Sequence, residues 1–330
     1  MLTSILYVVC GGILLLFGGE ILVRGASGIA GILRISPLII GLTIVAACTG
    51  APETAVSLTG ALCRGSADIA VGNVVGSNIA NILLVLGITA IICPIGVSSR
   101  LIKKEIPLLI LVSAMLFAFA FTKDASGGHL FPRYAGFLFV GMYLLYNVWV
   151  VRTVHVDHDR EITEELIQEN RLEGRSRTAT RFVIFLIMLG VGLGMLVYGA
   201  GVFVDGAVNI ARLVGISELV ISLTILAVGT SLPELVVSSV AAFRGKCDIA
   251  IGNVIGSNTF NLLAILGLTT TLVPGGLRLS DAMFRFDIPI LLGTAVLASV
   301  LCITGKKLSR WEGATLVGVY GIYIGSLLVR

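Results

Sequence analysis

The sequence predicts an all-α polytopic membrane protein, with ten transmembrane helices arranged as two inverted-topology five-helix repeats. Three observations predict it. The 330 residues are 56% hydrophobic and only 13% charged, with a mean hydropathy of +1.03, whereas a soluble domain carries about 25% charged residues. Ten apolar stretches lie at roughly 4–22, 35–63, 68–93, 105–122, 132–152, 182–204, 216–243, 249–273, 286–303 and 311–329. Each meets the ~20 residues that a helix needs to cross a bilayer core. Finally, residues 64–94 return as 244–274 with 17 identities in 31 positions, so the chain is doubled.

The first stretch has no basic residue before it and no small-residue cleavage pattern after it, and reads as a retained span rather than a signal peptide. The second carries Ala46, Thr49, Pro52 and Glu53 inside its apolar run. Proline lacks an N–H and clashes with the carbonyl four residues back, so this helix kinks at Pro52. The third holds Gly72, Gly76, Ser77 and Asn81, and two further spans close the first half. The sixth is glycine-rich at Gly190, Gly192 and Gly194. The seventh repeats the second, offset by 181, as Ala227, Thr230, Pro233 and Glu234. The eighth repeats the third, offset by 180, as Gly252, Gly256, Ser257 and Asn261, and two more spans complete the chain. Because five is odd, matching helices run in opposite directions, a plan common among secondary transporters. The organisation is therefore a first repeat at 1–152, a cytoplasmic linker at 153–180 and a second repeat at 181–330.

Charge orients the chain. Of its 23 Lys and Arg residues, 16 fall on the connections after helices 1, 3, 5, 7 and 9. The positive-inside rule makes those connections cytoplasmic and leaves both termini outside, in a multi-pass protein of the cell (inner) membrane. The linker holds His155, Asp157, His158 and Asp159, read as solvated rather than metal-binding, and 161–172 reads as a short surface helix. The six cysteines sit in or near apolar spans without a C-x-x-C pair, and read as small packing side chains rather than disulfides or zinc ligands. Asp68 and Asp248 read as charges at helix N-termini.

A carboxylate within lipid is costly and marks an ion path. Here there are two, Glu53 and Glu234, in matching surroundings. Thr49 and Glu53, Thr230 and Glu234, Ser77 and Asn81, and Ser257 and Asn261 are each four apart and share a helix face. Four helices can thus aim hard oxygens at one midplane point, a donor set suited to calcium and not to copper or zinc. The glycine pairs Gly72/Gly76 and Gly252/Gly256 read as close helix packing. They are no nucleotide loop, since no strand or Walker lysine accompanies them.

The two segments resemble the alpha repeats of the cation/calcium exchanger superfamily, in its sodium/calcium exchanger branch, of the prokaryotic type without cytosolic regulatory domains. The hallmarks of that branch are G-T-S-x-P-E in helices 2 and 7 and G-S-N-x-x-N in helices 3 and 8. The resemblance covers both repeats. It implies an antiporter, not an enzyme, that exchanges Ca²⁺ for Na⁺ by alternating access. It implies a calcium site from Thr49, Glu53, Thr230 and Glu234. It implies sodium sites adding the carbonyls of Ala46 and Ala227 with Ser77, Ser231 and Ser257, while Asn81 and Asn261 complete the centre. No cofactor is implied; the partners are the lipid bilayer and inorganic cations, with no nucleic acid. Three positions separate this chain from its neighbouring branches or from its own second copy. Gly50 occupies the place that Ser231 holds in the second copy, which removes a hydroxyl from the first-repeat side. Asn261 stands where the potassium-dependent branch carries aspartate, which argues against potassium cotransport. Asn81 in place of the acidic residue of the proton/calcium branch favours sodium over proton coupling. A proton/calcium antiporter remains the alternative, and a cation channel the reading from another class.

Overall fold

The computed structural model describes residues 1–124, 127–153, 175–216, 221, 225, 227–305 and 307–329. The expected linker cluster around His155 and the surface helix at 161–172 lie outside them. The helices are α1 (Leu2–Leu33), α2 in two halves (Pro37–Thr49 and Ala51–Leu62), α3 (Ala67–Ile92), α4 (101–119) and α5 (Arg133–Thr153). They continue as α6 (Arg175–Leu213), α7 (described from 227, with a second half Leu232–Phe243), α8 (Cys247–Leu272), α9 (283–305) and α10 (Arg310–Val329). Among the described residues α1, α3, α6, α8 and α9 are long and apolar enough to cross a bilayer, and the bent pair of α2 makes a sixth.

Local chemistry sets the starts. Ser36 accepts the amide of Ile39, with Pro37 at the first helical position of α2, and Ser66 accepts the amide of Ile69 at the head of α3. Asp68 and Asp248 lie in the first turns of α3 and α8, as expected from the helix dipole. The interiors of α3 and α8 contain matching π-helical turns, Asn81–Val85 and Phe260–Leu266, and such wide turns tend to mark functional sites.

Burial sorts centre from rim. In the most apolar windows of α3 and α8, 72% and 89% of residues are buried; in α1 and α6 only 28% and 22% are. α3 and α8 therefore lie at the centre of the molecule, while α1 and α6 turn apolar side chains such as Leu16, Phe17 and Ile187 outward. These two outer helices run along each other on a ladder of glycines. Gly11, Gly18 and Gly25 of α1 meet α6 at Gly199, Gly192 and Phe185, and Gly206 of α6 meets Ser4. Steps of seven residues keep the glycines on one face, since seven residues are close to two turns. A Cβ at Gly18 would lie 3.0 Å from the Gly192 carbonyl, so only glycine admits this approach. Of the glycines singled out at 190–194, Gly192 alone faces α1. The expected close packing holds for Gly252 and Gly256, where a Cβ would strike the backbone of Leu38 or Leu42 in α2, but not for Gly72 and Gly76, where a Cβ would meet only the Met283 methyl at 3.4 Å or open space.

Two short antiparallel ribbons also tie the halves: Ile95–Gly96 with Lys307–Leu308, and His129–Phe131 with Leu277–Leu279. The first joins the segment after α3 to that after α9, the second the segment after α8 to that after α4, an exchange that matches the sequence repeat.

The cysteines depart from expectation. Cys93, at the end of α3, and Cys247, which opens α8, form a disulfide with their Cα atoms 6.8 Å apart, while Cys10, Cys48, Cys63 and Cys302 are free. Neighbouring residues gave no sign of the pair, because its members lie 154 residues apart and meet only where the two repeats pack.

Candidate functional site

Both broken helices bend at the same place. Gly50 (φ −76°, ψ 4°) separates the halves of α2, which meet at 45°, and Ser231 (φ −86°, ψ 5°) interrupts α7 in the same way. A near-zero ψ at both positions, one residue before the Leu-Pro or Ala-Pro step, places Glu53 and Glu234 in the first turn of a new helix. Carboxylates are favoured there by the dipole.

Glu53, Glu234, Thr49, Asn81, Ser257 and Asn261 are fully buried, and Ser77 and Ser231 are almost so. All four oxygens of the two glutamates lack a hydrogen-bond partner in the protein, as do both amide atoms of Asn81 and Asn261 and the hydroxyl of Ser231. Ser77 stands beside Glu53 and Thr49 beside Glu234. Buried polar groups are normally paired. Glu105 illustrates the rule: equally buried, it takes Arg100 Nε at 3.2 Å and Tyr146 Oη at 2.9 Å. An unpaired buried carboxylate is so costly that two together demand positive charge from elsewhere.

The hydroxyls cross between repeats. Thr49 Oγ1 lies 3.3 Å from Ser257 Oγ and 3.1 Å from Asn253 Oδ1, and Ser77 Oγ lies 3.5 Å from Thr230 Oγ1. Each threonine of one half thus stands against a serine of the other. The Ala46 carbonyl lies at the break of α2, where it accepts the Gly50 amide at 3.0 Å. Ala227 begins the described part of α7. Among the described residues no group of three His, Cys, Asp or Glu side chains converges, so the donors are hard oxygens, mostly neutral, around two charges.

Sequence reading missed the clamps behind this cluster. Asn73 donates to Ser57 Oγ at 2.9 Å and to the Glu53 carbonyl at 3.0 Å, and Asn253 donates to Ser238 Oγ at 3.0 Å. These pairs lock α2 to α3 and α7 to α8. It also missed Asn78 and Asn258, both fully buried, of which Asn258 leaves its whole amide unpartnered. The repeat itself carried the signal, since all four asparagines recur at the same offset.

Matched broken helices with oxygen donors between them are the build of a secondary cation transporter. The comparisons agree. The chain belongs to the sodium/calcium exchanger family, whose profile matches residues 3–152 and 184–329. It is 42% identical over 321 residues to the putative antiporter CaxA of Alkalimonas amylolytica, covering 96% of each chain. It is 31% identical over 349 residues to the sodium/calcium exchanger MaX1 of Methanosarcina acetivorans, covering 97% of each. Among solved structures, the sodium-calcium exchanger NCX_Mj superposes with a TM-score of 0.81 at 31% identity, over 99% of both chains. The protein is thus a multi-pass membrane transporter of the cation/calcium exchange class and not an enzyme.

Proposed function

We propose that this transporter extrudes Ca²⁺ in exchange for Na⁺ by alternating access. The observation that carries the reading is the pair of fully buried carboxylates, Glu53 and Glu234, with no partner in the protein. Two negative charges balance one Ca²⁺, and calcium takes 6–8 oxygens. Thr49, Glu53, Thr230 and Glu234 are the calcium ligands in this reading. The carbonyls of Ala46 and Ala227, with Ser77, Ser231, Ser257, Asn81 and Asn261, serve sodium and the centre. The same carboxylates cannot balance both loads at once, which makes the exchange obligatory. In this reading the fold is ten spans in two inverted five-helix repeats, consistent with the exchanged β ribbons. Both termini lie outside, as the positive-inside rule requires. The poorly buried pair α1 and α6 moves across the fixed centre of α2, α3, α7 and α8.

Proton coupling is the second reading, favoured by Gly50, which leaves one fewer oxygen for sodium on the first-repeat side. Calcium uptake into proteoliposomes with imposed sodium, potassium or proton gradients separates the two. Uptake driven by sodium alone supports the proposal; uptake driven only by a proton gradient refutes it.

A further inference from the structure

At position 50 the two halves of the site are chemically unlike, and the structure records what stands beside it. A Cβ on Gly50 would lie 2.8 Å from Cδ1 and 2.9 Å from Cε1 of Phe260, and 3.1 Å from the Ala46 carbonyl oxygen. The space next to Gly50 is therefore filled by an aromatic ring from α8. Tyr143 of α5 braces that ring edge-on at 5.7 Å between centroids. The nearby carbonyl is engaged too: Ala46 O accepts the Gly50 amide at 3.0 Å and lies 3.4 Å from the Thr49 hydroxyl.

The second repeat is built differently. Ser231, the counterpart of Gly50, is 1% exposed and its hydroxyl has no partner. Its amide reaches back to Val228 at 3.1 Å, whereas that of Gly50 reaches Ala46 at 3.0 Å. The counterpart of Phe260 is Ala80. Thus glycine faces phenylalanine on one side, while the corresponding positions in the other repeat are serine and alanine. The exchange replaces a hydroxyl oxygen with a ring edge, which donates nothing to a small hard cation.

We propose that Phe260 seals the first-repeat position, so that a monovalent cation binds only at the matching position beside Ser231. The exchanger then carries one fewer sodium ion per cycle than a site with hydroxyls on both flanks. This rests on the sodium/calcium reading above. Phe260 acts here as a specificity-determining residue, and Gly50 is small because the ring needs its space.

The test counts bound sodium directly and does not depend on transport. Equilibrium binding of ²²Na⁺ is measured on purified wild type, Phe260→Ala, Gly50→Ser, the Gly50→Ser/Phe260→Ala double variant and Ser231→Ala, with ⁴⁵Ca²⁺ binding as a check on the folded site. The double variant is expected to bind one sodium more than wild type and to show steeper sodium dependence of exchange. Gly50→Ser alone gains none, because the ring remains. Ser231→Ala, a small change that keeps the fold even if the phenylalanine variants misfold, loses one bound sodium. The proposal is overturned if the double variant binds calcium normally yet no extra sodium, or if Ser231→Ala binds as much sodium as wild type. If wild type binds no sodium but the double variant does, the seal stands and the sodium-coupled reading falls. If neither binds sodium, both fall.

Discussion

Glu53 and Glu234 differ from every other carboxylate described here in being buried and unpartnered at once. At an effective dielectric of ~20, two unit charges 4 Å apart interact by about 4 kcal/mol, and a divalent ion doubles that. Neutralising either residue should therefore weaken calcium binding at least ~100-fold, or about 2.7 kcal/mol, in Glu53→Gln and Glu234→Gln alike. Titration with ⁴⁵Ca²⁺ checks this, and near-wild-type affinity in either variant would remove that glutamate from the site. Much of this centre was legible in the sequence: buried charge in a repeat singles out Glu53 and Glu234, and spacing of four places their hydroxyl neighbours on the same faces. The surroundings of Gly50 were not. The missing hydroxyl was visible, but the ring of Phe260 in its place belongs to a helix 210 positions along the chain. A contact of that range has no local signature.

At the scale of elements, the proline motifs foretold the breaks, which fall two residues before Pro52 and Pro233. The π turns at Asn81–Val85 and Phe260–Leu266 were not foretold, because a wide turn is set by packing rather than by residue pattern. The glycine ladder between α1 and α6 was half seen: the glycines at 190–194 were noted, but the seven-residue step emerges only when both helices are laid together. Replacing Gly18 by Leu should push α1 away from Gly192 and Leu196, whose backbone cannot yield. Because these helices stand outside the carboxylate centre, turnover should fall at least ~10-fold, or about 1.4 kcal/mol in the barrier, while calcium affinity stays near wild type. Wild-type turnover in the folded variant would contradict movement of this pair. The Cys93–Cys247 disulfide joins α3 to α8, the two most buried helices. Removing a native disulfide costs roughly 2–5 kcal/mol in small domains. Reductant should thus lower the melting temperature by at least ~4 °C and should have no effect on Cys93→Ser. An unchanged melting temperature on reduction would mean that the bond adds no stability.

For the molecule as a whole, doubling explains why so much can be read from one chain: every feature of the centre appears twice, and a departure such as Gly50 is visible against its own copy. It also sets how protons should act. In the proposed exchange, calcium binding requires both charges at the centre, since neutral threonines and asparagines cannot balance a divalent ion. Each proton taken up by Glu53 or Glu234 removes one of those charges, so protons and calcium exclude each other. As pH falls, the calcium concentration for half-maximal exchange should rise, while the maximal rate at saturating calcium should hold, because excess calcium displaces the proton. The loss should be the same on whichever side of the membrane the acid faces an open site. Measuring ⁴⁵Ca²⁺ uptake against calcium concentration at several pH values, with equal pH inside and out, separates competition from coupling. Competition shifts the half-saturation point alone. If the maximal rate collapses instead, or if a pH difference by itself drives sustained calcium accumulation without sodium, protons are the exchanged ion rather than a rival for its seat.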